Sequence, residues 1–269
     1  MSPRPAPLAD AAAPLLARVH TVLTDIDDTL TSDGHLTAAA YAALEALHEG
    51  GLRVIPVTGR PAGWCDMIAR FWPVDGVVGE NGAFTFRYDH EKKVMERRYA
   101  LSADERAEGR AKLEALKSEI LKRVPGAAVA TDQAYREADL AIDFCEDVAP
   151  LSATAVEEIV ALFKTAGAQA KVSSIHVNGW FGAYDKLSAA KALLKSAFAL
   201  SFDDEKAGIA FVGDSPNDAP LFAALPLSFG VANVLDFSGR IETMPAFVTP
   251  SRGGAGFAEF ASALLAAKA

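Results

Sequence analysis

The sequence predicts an α/β protein: a parallel sheet layered between helices, with a smaller α+β unit inserted in the middle of the chain. Three observations carry this. Short apolar, β-branched runs alternate with helical stretches from the start, as at residues 21–26, 36–49 and 52–57. A strand, a helix and a strand in that order make a parallel, right-handed unit. Two runs end in carboxylates, Asp25-Ile26-Asp27-Asp28 and Gly213-Asp214-Ser215-Pro216-Asn217-Asp218. The carboxyl ends of parallel strands are where such sheets place ligands. Residues 102–177 differ in character, with charged helices, short strands and no chemical motif of their own, as expected of a lid or specificity module.

Composition sets the outer bounds. The 269 residues, about half of them hydrophobic, suffice for one large domain or two ordinary ones. A formal charge of −9 argues against a nucleic-acid or anionic-membrane binder, whose contacts depend on Lys and Arg. Two cysteines far apart, Cys65 and Cys145, form no disulfide framework or zinc pattern and fit a reducing cytoplasm. No apolar run reaches membrane-spanning length, and the Ala- and Pro-rich start lacks the pattern of a signal peptide.

In order, a mobile leader to about Pro7 and a short helix are expected before the first strand. Residues 31–34 form a turn cluster, and a helix over 36–49 starts from Thr37 and stops at Gly50-Gly51. A strand over 52–57 leads to Thr58-Gly59-Arg60, a helix over 61–71 follows with Pro61 in its first turn, and 74–78 form a strand. After Gly79-Glu80-Asn81-Gly82, residues 84–86 and 94–99 read as a hairpin. A long helix spans 103–124, with Leu113, Leu116 and Ile120 at helical spacing, and a second spans 152–166. Residues 127–131, 138–144 and 170–177 are single strands. Lys186 opens a helix to about residue 200, the run 208–212 is a buried strand, and 221–225 are helical. Residues 227–231 and 246–248 are strands, 251–256 a loop and 257–267 a closing helix.

On an extended backbone, Asp25 and Asp27 point to one side and Asp28 to the other. Two carboxylates so close repel unless a cation or a shared proton lies between them, and a hard cation bound through oxygens is the simple solution. Asp214 and Asp218, at the end of a second buried strand, supply further oxygen ligands. Read alone, Thr58 suits a helix cap, Asn81-Gly82 a turn, and Lys186 a solvated lysine. A lysine at a helix start is disfavoured by the dipole, however, and is tolerated when its ammonium reaches a carboxylate or phosphate.

The Asp25-Ile26-Asp27-Asp28-Thr29 stretch resembles motif I of the haloacid dehalogenase (HAD) superfamily, and the other motifs follow in order: Thr58, Lys186, and Asp214 with Asp218. An insertion between the second and third motifs resembles the type IIB, or Cof-like, subclass, which includes sugar-phosphate phosphatases and phosphomannomutase. The resemblance implies a Rossmann-like three-layer core over 1–99 and 180–269 and an α+β cap over 100–179 that selects the substrate. It implies Asp25 as nucleophile, Asp27 as general acid and base, and Lys186 as a catalytic cation. It implies Mg²⁺ on Asp25, Asp27 (through its main-chain carbonyl), Asp214 and Asp218, and phosphate or substrate contacts from Thr29, Thr58, Gly59, Arg60, Asn81 and Asn217. The expected activity is a cytoplasmic, Mg²⁺-dependent phosphatase acting on a small phosphorylated metabolite, with a sugar phosphate foremost. A phosphomutase and a non-catalytic regulatory protein are the alternatives. Phosphomannomutases carry a basic residue shortly after motif I, where this chain has Thr31-Ser32-Asp33-Gly34-His35. Arg136, Asp143, His176 and Asn178 are the candidate substrate selectors in the insertion.

Overall fold

The computed structural model describes residues 4–269. Its central sheet runs Ala6–Pro7, Phe247–Val248, Leu227–Gly230, Ile209–Gly213, Thr21–Thr24, Arg53–Pro56, and every neighbouring pair is parallel. Val57 bridges Val78 in parallel, which brings Val77–Gly79 alongside with its antiparallel partners Phe84–Asp89 and Val94–Tyr99. From Thr21–Thr24 the next strand, Arg53–Pro56, lies on one side and Ile209–Gly213 and the later strands on the other, with Ala6–Pro7 added at their far edge. The strand order therefore reverses between Thr21–Thr24 and Ile209–Gly213, and this is where such a sheet opens a crevice for ligands.

The near-continuous apolar strands follow from burial on both faces. Val22, Val54 and Ala210 face one layer, which includes Leu44, Leu47, Phe257 and Phe260 from the helices Ala38–Glu49 and Gly253–Ala266. Their neighbours Leu23, Ile55 and Phe211 face the opposite layer, which includes Leu193 and Leu194 from the helix Lys186–Phe198. The result is a three-layer core.

The inserted unit has its own core. Its antiparallel sheet has the order Gln169–Val172, His176–Trp180, Leu140–Asp143, Ala128–Val129. The helices Ala103–Arg123 and Ala153–Thr165 pack on it through Leu113, Leu116, Ile120, Ile159 and Phe163. The first of these helices is started by a reciprocal capping box between Ser102 and Glu105.

Three expectations are corrected. Ala6 and Pro7 are paired to Phe247 and Val248, so this part of the expected mobile leader is a sheet edge; Met1 to Pro3 lie outside the described residues. Residues 170–177 are not one strand but two antiparallel ones, because the Ser173 hydroxyl accepts the amides of Ile175 and His176 and turns the chain. The expected loop 251–256 is largely helix. A Cβ on Gly254 falls 2.6 Å from the Leu30 carbonyl, so glycine here permits close approach of a helix start to the turn after the first strand. The Gly253 and Gly254 amides are taken up by Asn233 Oδ1 at 3.0 Å and Ser32 Oγ at 3.1 Å.

The two units are joined by a buried carboxylate. Glu80, from the core, accepts the amides of Glu137, Ala138 and Asp139 in the insertion at 2.7–3.1 Å, and that of Ala62 at 3.0 Å. Arg136 continues the joint, donating to the Gly59 carbonyl at 2.9 Å. Glu80→Gln turns an NH₂ group toward amide donors, and about 3 kcal/mol of stability is expected to be lost. Urea unfolding measures this; a loss below about 1 kcal/mol would show that Glu80 does not tie the units together.

Candidate active site

Backbone pairing places every motif. Asp25 directly follows Thr24, and its amide donates to the Val212 carbonyl at 2.9 Å, so Asp25 and Asp214 end adjacent strands. On the other side the Val57 amide donates to Thr24, which sets Thr58 one strand over. Lys186 arrives on the first turn of its helix, capped by Asp185, whose side chain accepts the Ser188 amide. The lysine is buried and bridges two carboxylates, Asp25 Oδ2 and Asp218 Oδ1, each at 2.7 Å. This explains how a lysine is accommodated at a helix start.

Asp25, Asp214 and Asp218 are buried, with ligand oxygens within 4.8 Å of one another. Burial lifts the Asp25 pKa; Lys186 opposes, Asp218 and Asp27 add, and the outcome is about 7. Burial, then Asp218 and Asp25, push Asp214 well above the usual carboxylate range. Burial works against the charge on Lys186, but Asp218 and Asp25 outweigh it and hold the ammonium above its ordinary value. One lysine does not suffice to hold three buried carboxylates ionised, and the raised Asp25 and Asp214 values reflect this. The donor set fits a hard divalent cation: Asp25 and Asp214 keep lone pairs after their present hydrogen bonds, and their oxygens already converge. Asp218 is more fully occupied, since its second oxygen accepts the Asp214 and Ser215 amides.

Other expected residues serve the cluster from a step away. Thr29 donates to Asp214 Oδ1 at 3.1 Å. The Thr58 hydroxyl accepts the Arg60 amide, which leaves its own proton to donate. Asn217 donates to Asn81 Oδ1 at 3.4 Å, while Asn81 Nδ2 is buried and has no partner. Gly59 leaves room for Asn81, whose nitrogen lies 3.2 Å from where a Cβ would stand. Asp27 is half-buried, and Arg60 grips it, with Nε at 2.9 Å and Nη2 at 2.8 Å from Oδ1. The same guanidinium reaches Glu146 at 2.8 Å and Asp132 at 3.4 Å in the insertion.

The segment after Ile26 is a turn, not an extension of the strand. Asp28 has φ 54°, and its carboxylate does not alternate with that of Asp27 but lines a separate recess of about 350 Å³. Of the expected selectors, Arg136, His176 and Asn178 line a tighter recess over Asp25 and Asp27. Asp143 instead accepts the amides of Cys145, Glu146 and Asp147, each at 2.8 Å, and so shapes the loop that carries Glu146. Sequence reasoning missed Glu80, Glu146 and Asn233. Asn233 is a brace: it donates to the Asp28 carbonyl at 3.0 Å and to Asp214 Oδ2 at 3.2 Å.

Residues 22–121 match the family described as haloacid dehalogenase-like hydrolase. The chain has the haloacid dehalogenase-like fold. A crystal structure from Thermoplasma acidophilum is similar at 20% identity and TM-score 0.69, over 91% of this chain and 98% of that one. A HAD/COF-like hydrolase from Plasmodium vivax is similar at 17% identity and TM-score 0.66, over 93% and 96%. The sucrose-phosphatase of Synechocystis, solved with sucrose and phosphate, is similar at 17% identity and TM-score 0.61, over 91% and 97%. At these identities the likeness is one of fold. No curated protein matches the sequence. The haloacid dehalogenase-like core explains why the carboxylates gather where the strand order reverses. No helix among the described residues is long and apolar enough to cross a membrane.

Proposed function

We propose that this haloacid dehalogenase-like chain is a Mg²⁺-dependent phosphatase of small phosphorylated metabolites, foremost sugar phosphates, working in the cytoplasm. The observation that carries the reading is the pairing of unlike roles at one strand end. Asp25 is buried against Lys186, while Asp27, two residues on, is held by Arg60 at the mouth of the recess. The inserted unit, taken as 100–179, is the cap that selects the substrate. Its contributions to the recess over Asp25 and Asp27 include Arg136, Ser174, His176 and Asn178.

In this reading a carboxylate oxygen of Asp25 attacks phosphorus, and the bond to the leaving oxygen breaks as Asp27 supplies the proton. The product is an aspartyl-phosphate. Asp27, now a carboxylate, takes a proton from water, whose oxygen attacks the same phosphorus and frees Asp25. Lys186 offsets charge on the phosphoryl oxygens, and the Thr58 hydroxyl donates to one of them. Asp25, Asp214 and the Asp27 carbonyl would hold Mg²⁺, with Asp218 behind them fixing Lys186 and the backbone. When bound, Mg²⁺ neutralises charge on the phosphoryl group and on the carboxylates around it.

The test is phosphate release from a panel of phosphorylated metabolites, with and without Mg²⁺. Release only with Mg²⁺ is expected; transfer of the phosphoryl group within the substrate, without release, would point to a mutase. Asp214→Asn is expected to raise the half-saturating Mg²⁺ concentration by at least about tenfold and to lower activity with it. An unchanged Mg²⁺ titration would remove Asp214 from the metal site.

A further inference from the structure

The charges around the tight recess come in pairs, most of them within the core or within the insertion, and Arg60 also pairs across the two. Three cationic or potentially cationic side chains line it: Arg60, Arg136 and His176. Arg60 keeps Asp27, its partner within the core. Arg136 keeps Asp132 at 2.9 Å and Asp139 at 3.1 Å, both within the insertion. His176 Nε2 keeps Glu146 Oε2 at 2.8 Å, again within the insertion. Glu146 also reaches across to Arg60 with its other oxygen. The space between these groups is about 10 Å³, too small for a sugar in this arrangement of the lining side chains. Arg60 has Glu146 and Asp132 beside it as well as Asp27, so its guanidinium stays countered when Asp27 carries the proton it supplies.

We propose that this recess selects an uncharged leaving group, and that Glu146 is a specificity-determining residue that enforces the choice by occupying Arg60 and His176. The inference rests on the phosphatase reading for the position of the leaving group, which must lie against Asp27. A second anion on that group meets Glu146, and Arg60, already shared by Asp27, Asp132 and Glu146, offers no free counter-charge; unpaired like charges in such a site are strongly rejected. Glu146 is firmly ionised: the nearby His176 ring and Arg60 outweigh burial and hold its carboxyl down at about 2. The neighbouring recess has the same sign. Asp28, Asp33, Asp214 and Asp236 face Arg252, which is itself paired to Asp236. Neutral groups are what the tight recess offers a ligand. The Asn81 amide nitrogen, beside Gly59, is buried without a partner, and the Asn178 side chain stands at the wall. Such groups suit hydroxyls.

The experiment separates this selectivity from catalysis. Calorimetry on the Asp25→Asn protein with Mg²⁺ compares phenyl phosphate with 4-carboxyphenyl phosphate, which differ by one anion on the leaving group. Phenyl phosphate is expected to bind at least about tenfold more tightly. In Asp25→Asn with Glu146→Gln the ratio is expected to fall to about one or to reverse. Equal or tighter binding of the carboxylated ester to Asp25→Asn overturns the proposal, as does a ratio that Glu146→Gln leaves unmoved. The wild-type protein is assayed for phosphate release from the same esters. No release from either ester or from any member of the metabolite panel, with the binding ratio intact, refutes the phosphatase reading and leaves the selectivity standing. Release with no binding ratio does the reverse.

Discussion

Asp25→Asn is expected to lower turnover by at least about a thousandfold, whereas Asp28→Asn changes it by less than about threefold. The two residues are three apart in sequence and differ in everything that matters chemically. Asp25 ends the central strand, buried, with one oxygen on Lys186 and the other accepting the Ile26 amide at 2.8 Å. An amide in its place is a poor nucleophile and presents donors to an ammonium. Asp28 sits in the left-handed region, where asparagine is well tolerated, and faces a different recess. Asp27→Asn should fall between them, and its deficit should depend on the ester. An aryl phosphate needs little protonation on leaving, so Asp25 is still phosphorylated at a useful rate, but hydrolysis of the intermediate is slow for lack of a base. A burst of aryl alcohol followed by slow turnover is the expected trace. If Asp28→Asn is inactive while Asp27→Asn behaves as wild type, the assignment of roles along this turn is wrong.

Lys186→Met is expected to have the largest effect on stability, about 3–5 kcal/mol in the absence of Mg²⁺. Methionine keeps the stem but removes the ammonium that two buried carboxylates share, Asp25 and Asp218, each at 2.7 Å. Asp218 then carries a charge its backbone donors alone must offset. Activity is expected to fall by about a hundredfold or more, since the same ammonium faces the phosphoryl oxygens in the proposed reaction. Urea unfolding with and without Mg²⁺ reads the first effect, and steady-state kinetics the second. A stability change under about 1 kcal/mol would mean that the carboxylates are not held by this lysine.

The carboxylate motifs were legible because each is a local pattern: an apolar strand stops, and Asp25 or Asp214 stands at its end. Lys186 reads alone as a solvated lysine; its disfavoured helix position marks it, and only the order of the motifs around it gives it a role. What stayed hidden is what depends on pairing across long separations. Glu80 finds its amides at residues 137–139, and Glu146 finds Arg60, in the other unit. A lone buried glutamate between Gly79 and Asn81 shows no such partner in sequence. The hairpin at Ser173 reads as one strand in the sequence because its turn is made by a serine hydroxyl, without glycine or proline to mark it. Gly253 and Gly254 misled in the other direction. Glycine usually punctuates, but here it lets a helix start lie against the turn after the first strand.

The most direct test is mass spectrometry of the Asp27→Asn protein quenched in acid during turnover of an aryl phosphate. Phosphoryl transfer through Asp25 predicts one phosphoryl group on the peptide containing residues 21–30, located at Asp25, and none when Asp25→Asn is added. A burst of product with no labelled peptide, or a label on any other residue, contradicts it.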